Sequence, residues 1–196
     1  MACADPQQAV IEHLLAPAGK QIDAGVARPG WPAGPVPSVY SGKPYEARPD
    51  SVNFLKQRGL GDRRLFAVTF DDLSGNRWSY LVAVEHDGHG WVAHGVAGGS
   101  DGPPRTNRRP PRPSPVSTRP SIHVYGQWGA DRLYAGGELH PGMGPVGRVT
   151  LTLADGTQIT DDGESGVVLF VGRTGSSPAT VDIFDDHGDL LASRAL

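Results

Sequence analysis

Two hydrophobic periods alternate along the chain, and each change of period predicts a change of element. In "DPQQAVIEHLLA" (5–16) Ala9, Val10, His13 and Leu14 recur at helical spacing, Asp5 is placed to cap and Pro6 suits the first helical position. Residues 25–49, "GVARPGWPAGPVPSVYSGKPYEARP", are too interrupted by proline and glycine for regular structure. "DSVNFLKQRG" (50–59) then predicts a second short helix, capped by Asp50 or Ser51, with Val52, Leu55 and Lys56 along one side and Gly59 at its end. From there the period falls to two. "RRLFAVTF" sets Leu65, Ala67 and Thr69 against Phe66, Val68 and Phe70, and "RWSYLVAVEH" and "WVAHGVAG" are joined by the hairpin signal "DGHG". Residues 1–102 therefore predict a small α+β domain of two helices and a three-stranded antiparallel meander.

Residues 121–196 read as all β. "SIHVYGQ", "RLYAGGELH", "GRVTLTLA", "TQITDD", "GVVLFVG", "ATVDIFDD" and "LLASRAL" are seven short strands separated by turns such as "DG", "RTGSSP" and "DHGD". Strands so short and close predict a C-terminal immunoglobulin-like sandwich, without the disulfide because no cysteine pair exists. Val149, Leu151 and Leu153 face its core from one strand. From "GVVLFVG" either Val168 and Phe170 or Val167 and Leu169 do so, and the period alone does not choose between them.

Two resemblances follow. Helices packed on a meander resemble the plan of cystatin-like and NTF2-like folds, which implies a ligand pocket in the cone of the sheet around Trp31, Trp78 and Trp91. In the second half, Trp128, Asp131, Tyr134, Gly136 and Gly137, followed by "VTLTLADGTQ", "GVVLFV" and "VDIFDDHGDLLA", resemble the C-terminal part of a group of uncharacterised actinobacterial proteins. That resemblance covers roughly the last third of the chain and implies no activity.

Composition sharpens the picture. With 27 glycines and 18 prolines among 196 residues, turns and short strands are favoured over long helices. Residues 1–101 carry 9 basic and 11 acidic residues, 102–120 five arginines and no acid, and 121–196 4 basic and 10 acidic. Folded halves that are acidic speak against nucleic acid as a partner. Cys3, the single cysteine, excludes an internal disulfide and is expected in a frayed terminus. The first residues lack the pattern of a signal peptide, and the longest apolar run, "GVVLFVG" (166–172), is too short to span a bilayer. The expectation is a cytoplasmic protein with no membrane contact.

The basic stretch "RTNRRPPRPSPVSTRP" (105–120) satisfies the P-x-x-P spacing that polyproline-binding domains read, with Arg108, Arg109 and Arg112 as contacts. Its place between two strand-rich blocks equally predicts a stiff linker over residues 103–120. His86, His89 and His94 around the "DGHG" turn are candidate metal ligands, with exposed turn histidines as the plain alternative. The clusters at 161–164 and 184–189 resemble calcium loops but offer too few ligands in sequence.

No nucleophile elbow or phosphate loop is present: Ser100 in "AGGSDG" lacks the first, and "GVAGGSDG" lacks the lysine of the second. No cofactor is called for. Tyr125, Trp128 and Tyr134, interleaved with glycines, are candidates for stacking on a partner or a sugar, unless Trp128 simply plugs one end of the sandwich. The expected function is non-enzymatic binding of another protein, through these aromatics or the linker arginines. The alternatives are a small-ligand or carbohydrate-binding protein, and an enzyme with an NTF2-like pocket in which His94 or Asp71 acts as base.

Overall fold

The structure, a computed structural model, describes residues 3–18, 21–22, 39–40, 44–100, 119–142, 144–163 and 165–196. Helix α1 (Pro6–Leu15) forms as its sequence predicts. The Asp5 carboxylate accepts from the Gln8 N–H at 2.8 Å, Pro6 opens the first turn, and Ala9, Val10 and Leu14 are buried. A two-residue pair, β1 (Gln21–Ile22) and β2 (Val39–Tyr40), follows. Next come β3 (Asn53–Leu60), β4 (Arg63–Asp71), β5 (Arg77–His86) and β6 (Trp91–Ser100), an antiparallel meander in chain order.

Two expectations for this half are corrected. The second helix does not exist, and with α1 as the one α-helix among the described residues the α+β assignment gives way to a nearly all-β chain. The segment 53–60 is instead a fourth strand. Its register with β4 shifts between Phe54, opposite Val68, and Lys56, opposite Ala67. Leu55 is thus the extra residue of a β-bulge. That insertion breaks the alternation locally and counterfeits helical spacing for Val52, Leu55 and Lys56. A helix this short is marginal alone, whereas pairing with β4 satisfies the backbone of both strands. The bulge also re-aims the strand, leaving Lys56 opposite Ala67 and Arg58 opposite Leu65.

The second half contains the seven predicted strands. β7 (Ser121–Gly129), β8 (Arg132–His140) and β11 (Val167–Gly172) form one antiparallel sheet in the order β11-β8-β7. β9 (Arg148–Leu153), β10 (Gln158–Asp161), β12 (Pro178–Phe184) and β13 (Leu190–Ala195) form the other, in the order β10-β9-β12-β13. The two pack as a sandwich over Leu133, Val149, Leu151, Phe170, Val181 and Ile183. Its partition differs from the constant-type immunoglobulin pattern. There the fourth strand joins the first, second and fifth; here β10 pairs with β9 instead.

The halves do not stop at their own cores. One face of the meander packs under α1, with Phe66, Val68, Phe70, Val82 and Val84 against Val10 and Leu14. Its other face, Leu65, Ala67, Leu81 and Ala83, packs on Tyr134, Val167, Leu169 and Val171 of the three-stranded sheet. The molecule is therefore a stack of helix, four-stranded, three-stranded and four-stranded sheet, in that order. β11 sits in the middle with all six residues buried. Val168 and Phe170 face the sandwich core while Val167, Leu169 and Val171 face the meander, so both alternatives left by "GVVLFVG" hold at once. Burying Leu65, Leu81 and Leu169 in this shared layer contributes roughly 2 kcal/mol each.

Candidate functional site

The interface between the meander and the three-stranded sheet has two long seams of opposite character. Along β3 and β11 it is closed by charge. The bulge-directed Lys56 places Nζ 3.0 Å from Asp161 Oδ2 and 2.6 Å from Asp162 Oδ1, and donates to the Val167 carbonyl at 3.1 Å. Arg58 donates to the other oxygen of Asp161 at 3.0 Å, and the Leu169 N–H donates to Asp161 Oδ2 at 2.6 Å. Asp161 is buried, so its carboxylate joins three strands in a poorly solvated place.

At one end of the interface Arg63, also buried, donates to the Asp131 carbonyl at 2.7 Å and to its carboxylate at 2.9 Å. That bond holds the Asp131 carboxyl below its usual range. The acidic residues 161–162 are thus structural anchors. Among the described residues, no group of three or more His, Cys, Asp or Glu is arranged to hold a metal ion.

Along β6 and β7 the interface stays open, and two clefts of about 510 Å³ each lie there. The one nearer the β7–β8 hairpin is lined by Glu85, His94, Gln127, Trp128, Arg132 and Tyr134. Tyr134 Oη donates to Glu85 Oε1 at 2.6 Å, and Arg132 Nη2 lies 3.3 Å from Glu85 Oε2. Burial, then the hydrogen bond to Glu85, pushes the Tyr134 phenol well above its usual range, so it remains a donor. Trp128 is 47% exposed and does not plug the sandwich. It stands just before the tight turn at Ala130, whose φ of 50° is left-handed.

The second cleft, at the Ser100 end, is lined by Ser79, Ser100, His123, Tyr125, Glu138 and His140. Tyr125 is half-buried, and burial followed by the charge of Glu138 raises its ionisation. The three aromatics singled out in the sequence therefore do not form one patch. Tyr125 belongs to one cleft, and Trp128 and Tyr134 to the other.

The remaining candidates fall apart by strand parity. His86 pairs with Trp91 and lies edge-on to its ring at 5.2 Å, on the helix side of the meander with Val84 and Ala93. His94 lies opposite Ala83 on the other face, and His89 is exposed in the turn, where its N–H donates to Asp87. Alternation thus sends His86 and His94 to opposite faces. Asp71 is ion-paired with Arg77 at 3.1 Å at the far end of β4 and lines neither cleft.

Trp78 fills the space under α1. Its ring packs with Tyr45 and Phe70, and its indole N–H donates to Asp72 at 2.8 Å. Burial raises the Asp72 carboxyl, but hydrogen bonds from Asn76, Trp78 and Ser74 outweigh it and hold the group below its usual range. Cys3 is buried and not frayed, its backbone exchanging hydrogen bonds with Trp91 at 3.0 and 2.7 Å. Trp31, Arg108, Arg109, Arg112 and the linker up to residue 118 lie outside the described residues.

Sequence reasoning missed Glu85, Arg132, Glu138, His123 and His140. On a sheet, residues i and i+2 share a face, so "HVY" at 123–125 and "ELH" at 138–140 each put two polar or aromatic groups on one side. The signal was present, and only the pairing of His123 with Glu138 across β7 and β8 unites it. Among the described residues no helix is long and apolar enough to cross a membrane. Compared with models of protein families, with curated proteins and with solved structures, the chain matches none.

Proposed function

We propose that this protein acts by binding another protein, through the cleft beside the β7–β8 hairpin. The observation that carries the reading is Trp128, 47% exposed at the rim of a cleft that also presents Arg132 and Tyr134. Trp, Tyr and Arg are the residue types that dominate binding energy at protein interfaces. Here all three sit on paired strands, so little backbone freedom remains to be lost on association. Glu85 is already held by Tyr134 and Arg132, so the charge that faces a partner is the half-exposed Arg132 guanidinium, which suits an acidic group.

The test is affinity purification of the tagged full-length protein from its own cells beside Trp128→Ala, with a third preparation lacking residues 105–120. A partner kept by the parent protein and the deletion but lost from Trp128→Ala supports the cleft. A partner retained by Trp128→Ala and lost with the arginine-rich segment moves the binding surface to that segment and overturns the reading.

A further inference from the structure

We infer that the cleft at the Ser100 end of the β6–β7 seam binds a small polyhydroxylated molecule of sugar size, independently of the partner surface proposed above. Its volume of about 510 Å³ falls within the roughly 300–1,000 Å³ of small-molecule sites. Six polar or aromatic side chains line it: Ser79, Ser100, His123, Tyr125, Glu138 and His140. Two hydroxyls, a phenol and two imidazoles both donate and accept, and one carboxylate only accepts. A lining rich in two-way hydrogen-bonding groups around one carboxylate matches a neutral ligand with many hydroxyls. It suits an anion poorly, because Glu138 would repel it.

The carboxylate of Glu138, directly opposite His123 across β7 and β8, can accept from two neighbouring hydroxyls of such a ligand. Tyr125 supplies a ring face for the carbon skeleton, with the His123 ring 6.3 Å away and inclined at 35°. Burial and the nearby Glu138 charge keep its phenol protonated and able to donate. All six groups stand in strands, Ser100 and His140 as the last residues of β6 and β8, which holds their backbones in fixed relation.

Gly99 provides a clean way to close the site. It pairs with Ser79 and so shares its face, which is the face that lines the cleft. A Cβ built at Gly99 meets nothing within 4 Å, and its φ lies outside the left-handed region, so a larger residue fits without backbone strain. Gly99→Leu sets an apolar side chain into the cleft, and Glu138→Gln removes the carboxylate with little change of shape.

The experiment is saturation-transfer NMR followed by calorimetric titration of the full-length protein with glucose, galactose, trehalose and myo-inositol, with spermidine as a cationic control. The expected result is binding of at least one polyol, weakened tenfold or more in both variants while their unfolding midpoints stay within a few degrees of the parent's. Three results overturn the inference: no polyol binds, a polyol binds Gly99→Leu and Glu138→Gln as tightly as the parent, or spermidine binds and the polyols do not. If Gly99→Leu fails to fold, the outcome with Glu138→Gln decides. Trp128→Ala is expected to leave polyol binding intact, which separates this inference from the fate of the partner surface.

Discussion

The β3–β11 seam and the β6–β7 seam join the same two sheets, yet they are built from opposite materials. The first is filled by long cationic side chains on acidic ones, Lys56 and Arg58 on Asp161 and Asp162. The second is bordered by short residues, with Ala97 and Gly99 of β6 lining its Ser100-end cleft, whereas a Cβ at Gly95 or Gly98 would meet Tyr80 on the helix side instead. Ion pairs and large side chains draw one side shut. Short side chains on β6 leave the other side open, with room for a ligand and a rim of polar groups to meet it. Stability and recognition are thereby separated: changes at the closed seam should unfold the protein, while changes at the open seam should alter what it binds.

Several measurements can break that comparison, and the largest effect is expected at Asp161. Asp161→Ala takes one shared acceptor from Lys56, Arg58 and the buried Leu169 N–H and should cost about 3–5 kcal/mol. Chemical denaturation measures it, and a loss under 1 kcal/mol would mean that the closed seam is ornamental. Leu169→Ala, in the layer shared by both halves, should cost about 2–5 kcal/mol. Because β11 is buried on both faces, the loss should appear in one transition followed alike by near-ultraviolet and far-ultraviolet dichroism. Two separate transitions would show that the halves melt independently.

Next in size is Tyr134→Phe. It removes the hydroxyl that donates to Glu85 and should cost about 1.5–3 kcal/mol, the range for a bond to a charged group. Trp128→Ala, by contrast, should move stability by no more than about 0.5 kcal/mol, as for an exposed position, while abolishing the proposed partner contact.

Acid sharpens the same contrast. Asp131 and Asp72 have carboxyls depressed in the folded state, so each contributes stability that is present above the unfolded aspartate value near 4 and is lost as the pH falls towards the folded one. Asp131→Asn and Asp72→Asn should each flatten the fall of stability below about pH 4, measured by thermal melts across pH. An acid limb identical to the parent's in both variants would deny these carboxylates that role.

Some of the molecule was readable from the chain alone, and the reasons are local. Asp5 before Pro6 caps a helix wherever an apolar face follows within four residues. The alternation of Leu65, Phe66, Ala67 and Val68, and the "DGHG" turn, specify paired strands from contacts a few residues apart. The site was half legible. Tyr125, Trp128 and Tyr134 were found because large aromatics among glycines stand out, but their division between two clefts depends on where the meander lies over β7 and β8. That His86 and His94 lie on opposite faces was not legible either, because it follows from parity once their strands are paired residue by residue.

What the sequence by itself determined was the strands from residue 63 onward, their turns and the capped helix α1, since side-chain period and turn chemistry act over two to four positions. Tertiary structure alone decided that residues 53–60 are a bulged strand rather than a helix. It also decided that "GVVLFVG" is covered on both faces, and that one seam is shut and the other open. The bulged strand turns on its pairing with β4, and the closed seam on partners about a hundred residues away, such as Lys56 and Arg58 for Asp161. A local pattern can show that a strand has two apolar faces or a spare pair of charges. Only the folded chain can show what they meet.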